Sequence, residues 1–166
     1  QPKKIFLVTG KKSYKDSGTE KIVKQFLNQY KVIHFIDFSV NPLIEDVQKG
    51  IDIFKKEQCD IIIAIGGGSV IDMAKTINLL AMHPEKAEKY ITKELDINTG
   101  GKPFVAIPTT AGTGSEATHF AVVYIQKKKY SLASKEFLQP SYVILDPQLT
   151  FNLPPYITAC TGIDAL

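Results

Sequence analysis

The sequence predicts a doubly wound α/β fold built around a mostly parallel sheet. Three apolar runs rich in β-branched residues, Lys4 to Thr9, Lys31 to Asp37 and Asp60 to Ile65, alternate with stretches of helical spacing. A glycine run follows the third of them and a further helical stretch follows the glycines, which repeats the strand-then-helix order. The 166 residues, 44% hydrophobic and 22% charged, are enough to bury one core in a single domain, residues 1–166.

Taken in order, the helix after the first strand has its start at Ser17 or Thr19. Its apolar stripe is Ile22, Val23, Phe26 and Leu27, expected in the core. Asn41-Pro42 opens the second helix, the proline suiting a first turn, and Leu43, Ile44, Val47, Ile51 and Phe54 recur at i, i+3, i+4 spacing. The third helix is predicted from about Val70 to Met82, with His83-Pro84 ending it before a short polar helix. A buried strand, Phe104 to Ile107, runs into Pro108-Thr109-Thr110-Ala111-Gly112-Thr113-Gly114-Ser115-Glu116, a loop of small and hydroxyl residues of the kind that carries function. Phe120 to Ile125 and Tyr130 to Ala133 predict an added β-hairpin, with Lys127, Lys128 and Lys129 as its solvated tip. Ser141 to Leu145 reads as one more strand, and residues from Pro154 to Leu166 as the opening of a helix. No internal repeat is visible.

Composition excludes several classes. A formal net charge of +3, with the 20 basic residues scattered apart from that lysine triplet, argues against nucleic acid or a membrane surface as partner. Cys59 and Cys160 have no Cys-x-x-Cys spacing, so they are expected as buried free thiols in a reducing cytoplasm. The longest apolar stretch, Ile61 to Ile65, is far short of the roughly 20 residues that span a bilayer. The basic-then-apolar start at Gln1-Pro2-Lys3-Lys4 is too brief for a signal peptide.

Gly66-Gly67-Gly68-Ser69, between a buried strand and a helix, lets bare amides approach a phosphate while the helix N-terminus favours its charge. Neither the Walker spacing nor Gly-x-Gly-x-x-Gly is present, and a bare glycine run is also compatible with a tight turn. Extended to Gly66-Gly67-Gly68-Ser69-Val70-Ile71-Asp72-Met73-Ala74-Lys75, the string resembles the GGGSxxDxxK signature of iron-containing (group III) alcohol dehydrogenases. The threonine loop, Pro108 to Glu116, is similar to that family's second signature, and Gly162-Ile163-Asp164-Ala165-Leu166 to the start of a third, GxDAxxH.

The resemblance implies a Rossmann-like domain for NAD or NADP, followed in the family by an all-helical metal-binding domain that would begin at about 154–166 and is otherwise absent from this chain. A short segment also precedes residue 1 in the family. The resemblance puts Gly67, Gly68 and Ser69 at the coenzyme pyrophosphate, with Asp72 close by. It puts Thr109, Thr110 and Thr113 near the phosphates and nicotinamide, Asn41 near the adenosine, and Lys129 reaching in from the hairpin. Asp164 matches the aspartate that, with three histidines, holds a divalent Fe2+ or Zn2+. His34, His83 and His119 fall on none of those ligand positions.

One departure concerns coenzyme choice. Where many NAD-preferring members read Val-Thr-Asp, this chain reads Val8-Thr9-Gly10-Lys11-Lys12-Ser13, and the missing carboxylate with Lys11 beside Gly10 favours or tolerates a 2′-phosphate. The implied chemistry is metal-assisted hydride transfer between a small primary or secondary alcohol and its aldehyde or ketone. The resemblance allows a homodimer. Two other readings stay open: a nucleotide-binding module without turnover, and a relative of dehydroquinate synthase or glycerol dehydrogenase, which the intact threonine loop and Asp164 string disfavour.

Overall fold

The computed structural model describes residues 3–166; Gln1 and Pro2, which open the basic-then-apolar start, lie outside the described residues. Five parallel strands form one sheet in the order β2-β1-β3-β4-β7, and a separate antiparallel hairpin pairs β5 with β6. The strands are β1 (Lys4–Thr9), β2 (Lys31–Phe35), β3 (Ile61–Gly66), β4 (Phe104–Pro108), β5 (Phe120–Ile125), β6 (Lys128–Ala133) and β7 (Tyr142–Val143). Helices α1 (Ser13–Asp16), α2 (Thr19–Leu27), α3 (Ile44–Glu57), α4 (Gly68–Leu80), α5 (Ala87–Ile91) and α6 (Pro155–Asp164) connect or follow them. This is the doubly wound, Rossmann-like arrangement with an added hairpin.

The register aligns the strand ends. Val8 lies beside Phe35 on one side, Thr9 beside Ile65 on the other, and Gly66 beside Pro108. From β1 the chain steps outward to β2 and then returns past β1 to β3, so the switch of winding direction falls between β1 and β3. Open α/β sheets bind ligands at the carboxyl end of that switch.

The two sheet faces are covered unequally. On one, α3 and α4 bury Phe6, Val8, Ile62 and Ala64 against Val47, Ile51, Phe54, Ile71 and Ile77. Phe6 stacks on Phe35 and meets Phe54 edge-on, ring centroids 5.7 Å and 5.2 Å away. Burying an aromatic of that size stabilises by about 1.5–3 kcal/mol. Gly50 lets α3 approach α4, since a Cβ there would overlap Ile77 at 2.2 Å. On the other face, among the described residues, the buried cluster is Leu7, Tyr14 and Ile65, with Val23, Leu27, Ile63 and Ile107 half-buried around it.

Several expectations need correction. The α2 stripe is not all core: Val23 and Leu27 pack against the sheet, but Ile22 is 49% and Phe26 67% exposed, because nothing among the described residues covers that side of the helix. Pro42 precedes the helix instead of occupying its first turn, since Leu43 is the extended N-cap of α3. Helix α4 begins at Gly68, two residues before the expected start, because the glycine turn itself enters the helix. The short helix α5 buries Ala87, Tyr90 and Ile91, so it is not polar throughout. The hairpin turns at Gln126 and Lys127, which have φ of 47° and 66°, so Lys128 and Lys129 belong to β6. That pair of left-handed residues matches the twist of a tight hairpin. Strand β7 keeps only Tyr142 and Val143 of the five residues expected. Cys59 is buried and Cys160 exposed, and both are free thiols.

Candidate functional site

Strands β1, β3 and β4 end side by side, and the loops that follow them line one cleft of about 770 Å³. Gly10, Lys11 and Lys12 come from the first loop with Ser13 opening α1, Gly67 from the second turn with Gly68 and Ser69 opening α4, and Thr109, Thr110 and Thr113 from the third loop. Ile36, Phe38 and Val40 close it beyond β2, and Leu153, Pro154, Ile157 and Thr161 form the wall on the α6 side. A smaller pocket of about 410 Å³ lies away from these loops, between α2 and the sheet, among Leu7, Val23, Leu27 and Val32.

The glycine turn is the floor. Gly67 is the extended N-cap of α4, and its carbonyl accepts from the amides of Val70 at 3.0 Å and Ile71 at 3.2 Å. The amides of Gly68 and Ser69, first in the helix, have no acceptor among the described residues. They are donors at the positive end of a 13-residue helix, beside an open crevice.

Space is tight on both sides of the turn. A Cβ on Gly67 would stand 3.1 Å from Thr110 Oγ1, and one on Gly68 3.1 Å from both Ser115 Oγ and Thr113 Cγ2. The threonine loop is thus packed directly on the turn, and the Thr109 amide donates to the Gly66 carbonyl at 3.0 Å. Gly112 and Gly114, with φ of 109° and 62°, give the loop its left-handed bends. Gly112 also touches α6, since a Cβ there would meet the Thr161 carbonyl oxygen at 2.0 Å.

At the far end of the cleft, Ser13 leans over Gly10, its Oγ 2.5 Å from where a Cβ would sit. Lys11 Nζ pairs with Asp37 Oδ1 at 2.6 Å, and Lys11 holds the Asp37 carboxyl below its ordinary range.

Of the residues singled out from sequence, Gly10, Lys11, Gly67, Gly68, Ser69, Thr109, Thr110 and Thr113 line this cleft. Asn41, Asp72 and Lys129 do not. Asn41 sits between the lining Val40 and Pro42, whose carbonyl accepts from the Tyr124 amide at 2.8 Å. Lys129 is exposed on β6, opposite Tyr124. Asp72 is buried; its Oδ2 accepts from the Val122 amide at 3.0 Å while Oδ1 has no hydrogen-bond partner among the described residues. Burial pushes its carboxyl above the usual range, and the Val122 amide and the Lys75 charge oppose that.

Sequence reading gave Lys75 no separate part. It is 2% exposed, and its Nζ donates to the Thr118 carbonyl at 2.7 Å, to Thr118 Oγ1 at 3.1 Å and to the Phe120 carbonyl at 3.0 Å. Burial brings its pKa down to about 8. The available signal was that Lys75 is the single basic residue of α4, set three positions after Asp72 among Met73, Ala74 and Ile77.

Asp164 ends α6 and is exposed. Among the described residues no group of three or more His, Cys, Asp or Glu could hold a metal ion. His34 bonds to Thr9 Oγ1 at 2.8 Å, and His83, buried, bonds through Nδ1 to the Leu79 carbonyl at 3.0 Å. One exposed carboxylate does not by itself fix a divalent ion in catalytic geometry, which takes about three protein ligands.

A parallel sheet flanked by helices, with a glycine-floored crevice at its switch point, defines a Rossmann-like α/β domain. The sequence matches the model of the iron-containing alcohol dehydrogenase family over residues 1–147, and the chain belongs to that family. It is 39% identical to aldehyde-alcohol dehydrogenase 2 of Entamoeba histolytica, over 98% of this chain and 20% of that protein. It is 36% identical to the NAD-dependent methanol dehydrogenase of Bacillus methanolicus, over 99% and 43% of the two chains. The crystal structure of sulfoacetaldehyde reductase from Bifidobacterium kashiwanohense in complex with NAD+ superposes with a TM-score of 0.87 at 34% identity, covering 97% of this chain and 43% of that one. The chain therefore spans less than half the length of these relatives.

Proposed function

We propose that the cleft binds a nicotinamide dinucleotide, NAD(H) or NADP(H), with its pyrophosphate on the free amides of Gly68 and Ser69. The observation that carries this reading is that pair of unpartnered amides opening into a cleft of about 770 Å³ at the sheet's switch point. The hydroxyls of Thr109, Thr110 and Thr113 line the same cleft and can donate or accept along the coenzyme. Ile157 and Leu153 supply apolar wall that keeps water from one side.

In the whole protein the coenzyme would exchange hydride with a small primary or secondary alcohol and its aldehyde or ketone, the names of the relatives supporting that class. The divalent Fe2+ or Zn2+ belongs to the same proposal, with Asp164 as one ligand among residues of the whole protein. No described helix is long and apolar enough to cross a membrane. A cytoplasmic setting, a small-molecule substrate, a homodimer, and neither nucleic acid nor membrane as partner complete the reading.

The test is equilibrium titration of NADH and NADPH into this chain and into Gly68→Val. The added side chain crowds Thr113 and Ser115 and adds bulk beside the amides, so affinity should fall at least tenfold, about 1.4 kcal/mol, with the secondary structure unchanged by circular dichroism. Equal affinity in Gly68→Val would remove the glycine turn from the site.

A further inference from the structure

We infer that Asp37 is a specificity residue of this cleft: it competes with a coenzyme 2′-phosphate for Lys11 and so tilts selection toward the 2′-hydroxyl of NAD(H). This rests on the nucleotide reading of the same site.

Read alone, the loop after β1 is a phosphate site: Lys11, Lys12 and Ser13 surround a glycine with no carboxylate. The structure adds an anion from a different strand. Asp37 follows β2, the neighbour of β1, and stands between Ile36 and Phe38, both of which line the cleft. Its carboxylate reaches Lys11 Nζ at 2.6 Å. The anion that Gly10 does not provide is thus supplied from the end of β2, the strand paired with β1.

The pair is not a structural necessity. Lys11 and Asp37 side chains are 57% and 83% exposed, and exposed pairs add little to folding, so their substitution should leave the fold intact. Its effect falls on what approaches the rim. A hydroxyl can donate to the carboxylate. A 2′-phosphate meets the charge of Asp37 and finds Lys11 already engaged. Lys12, which also lines the cleft, forms no ion pair among the described residues and remains to favour phosphate, so selection is graded and not absolute.

The experiment is titration of NADH and NADPH, followed by nicotinamide fluorescence, into the chain, Asp37→Asn, Lys11→Ala and the double variant at low and high salt. Asp37→Asn should shift the ratio of dissociation constants roughly fivefold toward NADPH at low salt, and less at high salt. Lys11→Ala should shift it toward NADH, and Asp37→Asn should have a smaller effect in that background, because its partner is gone. An unchanged ratio in Asp37→Asn, or an equal loss for both coenzymes, overturns this assignment and leaves the nucleotide reading standing. If the unaltered chain binds neither coenzyme, both readings fall.

Discussion

At Gly10 the lack of a side chain does two things: it removes a charge from the rim, and it makes room for the Ser13 hydroxyl. Gly10→Asp should therefore weaken NADPH binding more than NADH binding, by on the order of 1–3 kcal/mol, since a like charge would face the 2′-phosphate. Because Ser13 Oγ occupies the space 2.5 Å from the new Cβ, the serine must rotate away, and Ser13→Ala should ease the accommodation without restoring NADPH binding. Paired titrations with the two coenzymes measure this; a parallel loss for both would mean a steric effect alone. The absent carboxylate was legible in the string from Val8 to Ser13, because a missing residue type in a short loop is a local property. Asp37 was not, because its approach to Lys11 depends on the pairing of β2 with β1.

Helix α4 joins the cleft to the hairpin. Its first residues present the glycine amides, and one to two turns later Asp72 and Lys75 fasten β5 and the segment before it. Lys75 has a folded pKa of about 8, below its ordinary 10.5, so the unfolded chain binds the extra proton between those values and stability should rise with pH through that window. Below about pH 8 both states are protonated and the burial cost is fully present. Lys75→Met keeps the stem but strands the Thr118 and Phe120 carbonyls, so it should destabilise by about 1–3 kcal/mol at neutral pH and abolish that rise. Urea denaturation at pH 7 and pH 10 checks both parts, and the same alkaline rise in Lys75→Met would assign it to another group. Why helix α4 was read but its two fastenings were not is physical: periodicity marks a buried helix, whereas the targets of Asp72 and Lys75 are backbone groups far along the chain. The α2 stripe fails for the complementary reason, since periodicity identifies an apolar face but not whether anything covers Ile22 and Phe26.

Across the whole molecule, burial is concentrated in β1, β3 and α4, while α6 has no buried residue. The order of strands and helices was readable because alternating periods dictate a parallel sheet, and the glycine turn because its chemistry is contiguous. The wall formed by Leu153, Pro154, Ile157 and Thr161 was not readable, since nothing in its composition says that it folds back over the threonine loop. That wall is also lightly anchored, since its helix buries no residue. Segments with few buried apolar contacts open locally at low free energy, whereas central strands open only with global unfolding. Amide exchange should thus be fast in α6 and slowest in β1, β3 and α4 when the chain is free. A coenzyme seated on the glycine turn would touch Ile157 and Thr161 from inside the cleft, and binding to the closed wall alone should slow exchange in α6 by the population shift it imposes. Hydrogen exchange followed by mass spectrometry, with and without saturating NADH, distinguishes the cases: protection gained in α6 together with the glycine turn is the expected outcome. Protection confined to the glycine turn would mean that the α6 wall takes no part in holding the coenzyme, and an α6 already as protected as α4 in the free chain would refute the ranking of local stabilities.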